Sequence, residues 1–235
     1  TMSILNSSIV PVSGATSYAI DNSLRFNDND TAYLSRTPST AGNRKTWTYS
    51  AWFKRGSLGL GGVLFGSYTN IDNRMYLFYN TLADELGVFD KTGAVIVINT
   101  GTSASFRDTS AWYHVLLSVD STQATSTDRV KLYINGTLQT MAYYTAPSLN
   151  ADGQINSTTS HSIGVQNAAN YLDGYLAEVN FVDGQALTPS DFGETDATYG
   201  HWKPIAYAGT YGTNGFYLPF NDDIGADMSG SHDVF

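Results

Sequence analysis

The sequence predicts an all-β fold, an antiparallel β-sandwich of the jelly-roll kind, and three observations carry that prediction. The first is the stretch Trp112–Leu138. Tyr113, Val115, Leu117 and Val119 alternate there with His114, Leu116 and Ser118, and Val130, Leu132 and Ile134 alternate again beyond a polar connection. Period 2 on both sides of a polar loop is the pattern of antiparallel strands with one face on a core. The second is Asn135-Gly136, the dipeptide favoured by a type I′ hairpin turn. The third is the recurrence of such short strands, about a dozen of them, with turn residues between and almost no helical period.

Taken in order, residues 1–19 read as an arm or linker, with Ile9-Val10-Pro11-Val12 as a short edge strand. Ser23–Phe26 and Ala32–Ser35 are strands on either side of Asn27-Asp28-Asn29-Asp30, an Asx turn or a cation-binding turn. Trp47–Arg55 is apolar on both faces, so it is expected to be central. Gly56–Gly62 is a flexible connection, since no helix or Lys-Ser/Thr follows it to make a phosphate cradle. Val63–Phe65 and Arg74–Tyr79 are strands, and Glu85–Phe89 pairs with Ala94–Asn99 around Asp90–Gly93. Residues 145–160 read as a long polar loop, Ser162–Val165 as a short strand and Gln166–Asn170 as a polar loop. Tyr171–Val182 is a long strand expected to bury Tyr175, Ala177, Val179 and Phe181. Thr188-Pro189-Ser190-Asp191 has the N-cap, first-position proline and third-position acid of a short helical turn. Residues 193–214 read as irregular and Gly215–Phe220 as a last strand, while His232–Phe235 looks like the opening of another, so the natural chain is expected to continue.

Composition narrows the function. With 12 Lys+Arg against 21 Asp+Glu the net charge is −9, and the basic residues do not cluster. Nucleic-acid binding by phosphate neutralisation is therefore excluded from the reading. There are 0 cysteines, which removes disulfides, thiolate chemistry and cysteine-ligated zinc. No apolar run has membrane-span length, and the stretch after Met2 lacks a signal-peptide core, so synthesis without secretion or membrane insertion is expected.

Four runs in order, WTYSAWFKR, VLFGSY, AWYHVLLSVD…DRVKLYINGTL and SIGVQNAANYLDGYLAEVNFVDGQALTPSDF, resemble laminin G-like modules of the concanavalin A-like lectin/glucanase superfamily. The resemblance covers residues 20–192 and implies two antiparallel sheets face to face, one of them concave, with residues 193–235 as an extension whose strand returns to the sandwich. SYAIDNSLRFNDNDTAYLSRTPSTAGNRKTWTYSAWFKRG and YGTNGFYLPFND further resemble a module of tail or head fibre proteins of tailed, especially marine, bacteriophages. That resemblance implies a virion location, host-surface glycan or protein and other virion proteins as partners, and a homo-oligomer such as a trimer.

Glucanases of the superfamily carry a Glu-x-Asp-x-x-Glu run, and two-carboxylate chemistry needs such a pair. Glu178 has no acidic neighbour two residues away, and neither has Asp84-Glu85 a partner two positions on. His114, His161, His201 and His232 show no metal-ligand spacing. No enzymatic activity is expected. Asp72-Asn73 is similar in position to an Asp-Asn calcium pair of pentraxins, so one Ca²⁺ held by Asp72, Asn73, Gln166 and backbone carbonyls is one expectation and an ordinary polar turn the other. Asp152, Asp173, Asp222 and Asp223 are further oxygen donors without a pattern. For a glycan, the useful groups are aromatic rings beside amides. Tyr143, Tyr144, Tyr171, Asn167 and Asn170 are expected on one rim, with Trp202, Tyr207 and Tyr211 in the irregular C-terminal part. The resulting expectation is a non-enzymatic, fibre-associated binding module, with a purely structural virion role or a glycoside hydrolase as alternatives.

Overall fold

The computed structural model describes residues 18–221 and 225–229; Ile9–Val12, Asp222, Asp223 and His232–Phe235 lie outside them. In chain order the strands are Leu24–Phe26 (β1), Leu34–Arg36 (β2), Thr46–Arg55 (β3), Gly62–Asn70 (β4), Asn73–Tyr79 (β5), Glu85–Thr92 (β6), Val95–Ser105 (β7), Tyr113–Asp120 (β8), Val130–Ile134 (β9), Thr137–Leu138 (β10), Met141–Thr145 (β11), His161–Ile163 (β12), Gly174–Asp183 (β13), Gly193–Thr195 (β14), Trp202–Pro204 (β15) and Phe216–Leu218 (β16). One sheet runs β1-β13-β3-β8-β9-β10, with β16 also on β13; the other runs β11-β7-β6-β5-β4-β12-β2. Among the described residues the outermost strands are short, and the strands of ten residues or more, β3, β7 and β13, have a neighbour on each side, with β11 covering Asn99–Thr102 of β7.

The two inner faces share one core. Tyr49 of β3 stacks on Phe65 of β4 at 4.9 Å, and Phe65 meets Phe181 of β13 at 5.5 Å. Tyr113, Val115, Leu117 and Val119 supply this core as their alternation predicts. Asn135 and Gly136 both take positive φ, 47° and 78°, and turn β9 into β10. Thr188 and Asp191 form the expected capping box.

Three expectations change. Residues 193–214 are not wholly irregular, because β14 and β15 pair as a two-stranded ribbon. Tyr175 and Ala177 do not face the core with Val179 and Phe181. The β3–β13 register shifts between Ala177 and Asn180, and Glu178 there has φ 50°. This bulge reverses the alternation, so Leu176, Val179 and Phe181 point inward, while Tyr175 and Ala177 lie beside Trp112. Finally, the loop 145–160 is a loop as expected, but its middle, residues 153–157, is interior. Gln154, Ile155, Asn156 and Ser157 are buried.

That burial is possible because the loop's polar groups are spent on hydrogen bonds. Asn156 Nδ2 donates to Asp183 Oδ1 at 2.6 Å and to the Asn43 carbonyl at 3.1 Å. Asn214 donates from Nδ2 to Asn156 Oδ1 at 2.9 Å and from its backbone to Asp183 Oδ2 at 3.1 Å. The Asn156 N–H donates to His161 Nε2 at 2.9 Å, leaving Nδ1–H to donate to the Thr159 carbonyl at 2.8 Å. Gln154 donates its backbone N–H to the buried Asp90 carboxylate at 2.9 Å.

At the other end, the fully buried Arg55 guanidinium pairs with Asp84 at 2.7 Å, donates to the Phe106 carbonyl at 2.9 Å and lies 4.4 Å over Tyr79. Asp84→Asn keeps a side chain that tolerates the left-handed backbone (φ 53°) but removes the counter-charge. It should lower stability by about 3 kcal/mol, read by urea unfolding.

Two histidines make stability acid-sensitive. Burial pushes His114 down to about 3 and His161 down to about 4. The unfolded chain takes up their protons first, near pH 6.5, so each costs about 1.4 kcal/mol per pH unit below that. Burial pushes Asp90 up to about 6, so the folded state takes up that proton first and gains stability as pH falls toward its unfolded value. The balance is a net loss of about 3 kcal/mol between pH 7 and 4.5. The urea midpoint should fall accordingly, and more steeply in Asp90→Asn.

Candidate functional site

The outer face of the β4–β7 sheet is laid out in cross-strand rows. One row is Val63, Phe78, Gly87, Gly101 and Tyr143, and the next is Gly66, Tyr76, Phe89 and Asn99. Strand alternation puts Arg74, Tyr76 and Phe78 on this face, opposite the core residues Met75, Leu77 and Tyr79. A solvated strand face normally carries polar residues here. The glycines explain how aromatic rings lie flat on it. A Cβ on Gly87 would stand 2.7 Å from the Phe78 ring, and one on Gly101 would collide with the Tyr143 phenol. Glycine inside a strand marks such close approach.

Between these rings and the loop after β12 lies a groove of about 300 Å³. Tyr76 and Phe89 stack at 6.2 Å with 15° between their planes. The Arg74 guanidinium sits 5.1 Å over Phe89 and 6.0 Å over Tyr76. Gln166, Asn170 and Asn80 bring amides to the rim, and none of the lining residues is acidic. Tyr76 is 6% exposed and burial raises its phenol. Gln166 is near enough to favour ionisation of that hydroxyl, yet the hydroxyl makes no hydrogen bond of normal geometry. The Arg74 Nε is likewise buried and unpaired.

The sequence-predicted residues divide between this face and others. Asn170 and Gln166 line the groove and bond to each other at 2.8 Å. Asn167 is at the tip of the same tight turn, exposed. Tyr143 is on the same face, donating to Glu85 at 2.9 Å, with its phenol pushed up to about 12 by burial and then by Glu85. Tyr171 packs near Tyr33 at 6.4 Å. Tyr144 instead turns to the core edge, donating to the Ser126 and Val130 carbonyls at 2.9 and 3.3 Å. Trp202 is on the opposite sheet, stacked on His114 at 5.9 Å. Tyr207 and Tyr211 are on that sheet too, packed around Phe192 and Asn180.

The three calcium candidates are each committed elsewhere. Asp72 accepts from Lys91 at 2.6 Å, Asn73 Oδ1 accepts the Gly93 N–H at 2.9 Å, and Gln166 Oε1 accepts from Asn170. A hard cation at Asp72 would have to displace the Lys91 ammonium from its carboxylate. Among the described residues no group of three or more His, Cys, Asp or Glu side chains could hold a metal ion. Asp173 pairs with Arg25 at 2.6 Å, and Asp152 is exposed.

Ser50 and His114 lie 2.8 Å apart, but not as nucleophile and base. The Trp202 indole N–H donates to His114 Nδ1 at 3.1 Å, so the ring proton is on Nε2 and is donated to Ser50. Glu178 is a half-buried carboxyl raised by burial, against which the Tyr18 and Tyr217 hydroxyls pull down. Tyr217 donates to it at 2.8 Å and Tyr18 also bonds it.

The sequence reading missed Arg74, Tyr76, Phe78 and Phe89. The available signal was a strand, Arg74–Tyr79, with aromatics on both alternating faces, followed by a glycine in the next strand.

The groove-rim turn is strained: Asn167 and Ala168 both have positive φ, 43° and 55°. Ala168→Gly should therefore raise stability by about 1 kcal/mol, seen as a higher urea midpoint with unchanged slope.

Comparison with known proteins places this geometry in a family. The model described as the Concanavalin A-like lectin/glucanases superfamily matches residues 27–191. No curated protein matches the chain. Among solved structures, it is similar to a heptameric SAP-like pentraxin from Limulus polyphemus (TM-score 0.51, 15% identity, 71% of this chain and 77% of that one). It is also similar to mouse laminin α1 domains LG4-5 (TM-score 0.51, 9% identity, 87% and 48%). A third is the enzymatically active domain of bacteriophage CBA120 tailspike protein 2 (TM-score 0.50, 11% identity, 72% and 26%). At these identities the likeness is one of fold. Because the family model spans more than half of its residues, the chain belongs to the concanavalin A-like lectin/glucanase superfamily.

Proposed function

We propose that the chain is a non-enzymatic binding module of a phage virion, and that its outer-face groove receives a saccharide of the host surface. One observation carries the reading: a floor of Tyr76, Phe78 and Phe89, amides at the rim and no carboxylate in the lining. Rings of this kind stack on sugar CH faces while amides fix the hydroxyls. Glycoside hydrolysis needs two carboxyl groups flanking the bond, which this lining does not offer. The virion setting is supported by the sequence resemblance to fibre modules of tailed phages, and by a cysteine count of 0, compatible with assembly in a reducing cytoplasm.

A contact role within the virion has its own supporting feature. On the opposite sheet a hollow of about 380 Å³ is bounded by Trp52, Trp112 and Pro204, apolar enough to receive another subunit.

A glycan array with purified protein tests the first reading, run in calcium and again in EDTA. Wild type should bind in both buffers. Phe89→Ala should lose binding by at least about tenfold, the scale of one lost stacking contact. Binding that survives Phe89→Ala unchanged moves the ligand off this groove. No binding by folded wild type leaves the subunit-contact role.

A further inference from the structure

We propose that the ligand of the β4–β6 groove is an anionic saccharide, held through its acid group by Arg74 and the Tyr76 hydroxyl; this rests on the groove being the binding site. Arg25, Arg36, Arg44, Arg55, Arg107 and Arg129 each make a hydrogen bond or ion pair through the guanidinium. Among the described residues Arg74 alone makes neither, in a chain that carries 21 acidic residues. Instead it is stacked on Phe89 and Tyr76.

Stacking fixes the plane of the guanidinium and leaves its N–H edge as a donor fork. Beside it is the Tyr76 phenol, 6% exposed, with the Gln166 side chain near its hydroxyl but no hydrogen bond of normal geometry to it. Unpartnered buried atoms also occur away from the groove, at the Tyr49 hydroxyl and Arg55 Nε, but among the described residues Arg74 Nε and the Tyr76 hydroxyl are the ones that belong to the groove lining, and each is a cost in the unbound fold. Both are donors and the lining holds no acid, so what completes them is an acceptor with negative charge. A planar carboxylate fits the fork with two parallel hydrogen bonds, and a sulfate ester shares that chemistry. Stacked rings beside the donors suit the sugar that bears the acid.

The overall charge of −9 sharpens the inference. The field of the whole chain repels polyanions, so preference for an acidic sugar must come from this local contact. The missing partner is also legible as a trade of stability for function, since the Arg74 N–H edge and the Tyr76 hydroxyl forgo hydrogen bonds in the unbound fold.

The test is calorimetric titration of the protein with an oligogalacturonate, its fully methyl-esterified form, a sulfated oligosaccharide and a neutral dextran oligomer. The carboxylated ligand should bind about tenfold to a hundredfold more tightly than its ester, the worth of a charged hydrogen-bond pair. Arg74→Gln should abolish that preference while the protein stays folded, its thermal midpoint falling only by the lost stacking contact, and Arg74→Lys should keep part of the preference. Tyr76→Phe should weaken the acidic ligand several-fold while the midpoint holds or rises. A sulfated ligand that outranks the carboxylated one would assign the fork to sulfate esters and overturn the carboxylate choice. Ester and acid binding alike, with loss in Phe89→Ala, overturns the anionic assignment while leaving the groove as the site. A preference that survives Arg74→Gln overturns the assignment to Arg74, and no binding by any ligand overturns both readings.

Discussion

The closed end of the sandwich depends on one buried polar knot, Asp183 with Asn156 and Asn214. A carboxylate this deep is tolerable only with its acceptor positions filled. Asn43, Asn156 and Asn214 fill them, and in doing so they draw the β2–β3 connection, the loop before β12 and the approach to β16 onto the end of β13. The effect reaches the groove. The same loop presents Gln154 to Asp90 and, through its amide, to Thr92 at 3.0 Å. Asp90 is next to Phe89, so the strand that supplies the groove floor is held from the inside by the knot that closes the sheets.

Residues that obey simple alternation were legible in the sequence. Tyr113 to Val119, Tyr49, Ala51 and Phe53, and Val130 to Ile134 take the core positions that their spacing predicts. Alternation fails where the backbone inserts a residue. Nothing in Ala177-Glu178-Val179 announces a bulge, yet the left-handed Glu178 sends Tyr175 and Ala177 outward. The middle of the 145–160 loop, residues 153–157, is buried for a different reason. Its Ser, Asn and Gln residues look solvated because their partners are remote in sequence, and only the folded chain shows those groups satisfying one another.

The site was half legible. Asn167, Asn170 and Tyr143 could be placed near one face because they sit at loops or carry an evident recognition chemistry, whereas Gln166 was put forward only as a metal ligand. The aromatic floor could not, since Tyr76, Phe78 and Phe89 are indistinguishable by composition from core residues. Their convergence is a cross-strand property. It depends on the registers of β4, β5, β6 and β7, and two of the three pairings shift in register, by one residue between Val63 and Phe65 and by two between Glu85 and Gly87. The misplacement of Trp202 has a similar source: the β14–β15 ribbon folds it onto the other sheet, over His114.

The short strands at the sheet edges have a consequence for life at high local concentration. Long unpaired ladders template the addition of a neighbour's strand, and this is how sandwiches aggregate. Here the edges are β10 with two residues, β1, β2 and β16 with three, and β11 with five, the last interrupted by a register shift between Met141 and Tyr143. Each of these described edges offers only a brief ladder, although β11 leaves Val95–Ile98 of β7 uncovered. Among the described edges, contact between crowded copies is therefore favoured through side chains rather than through an extended shared ladder.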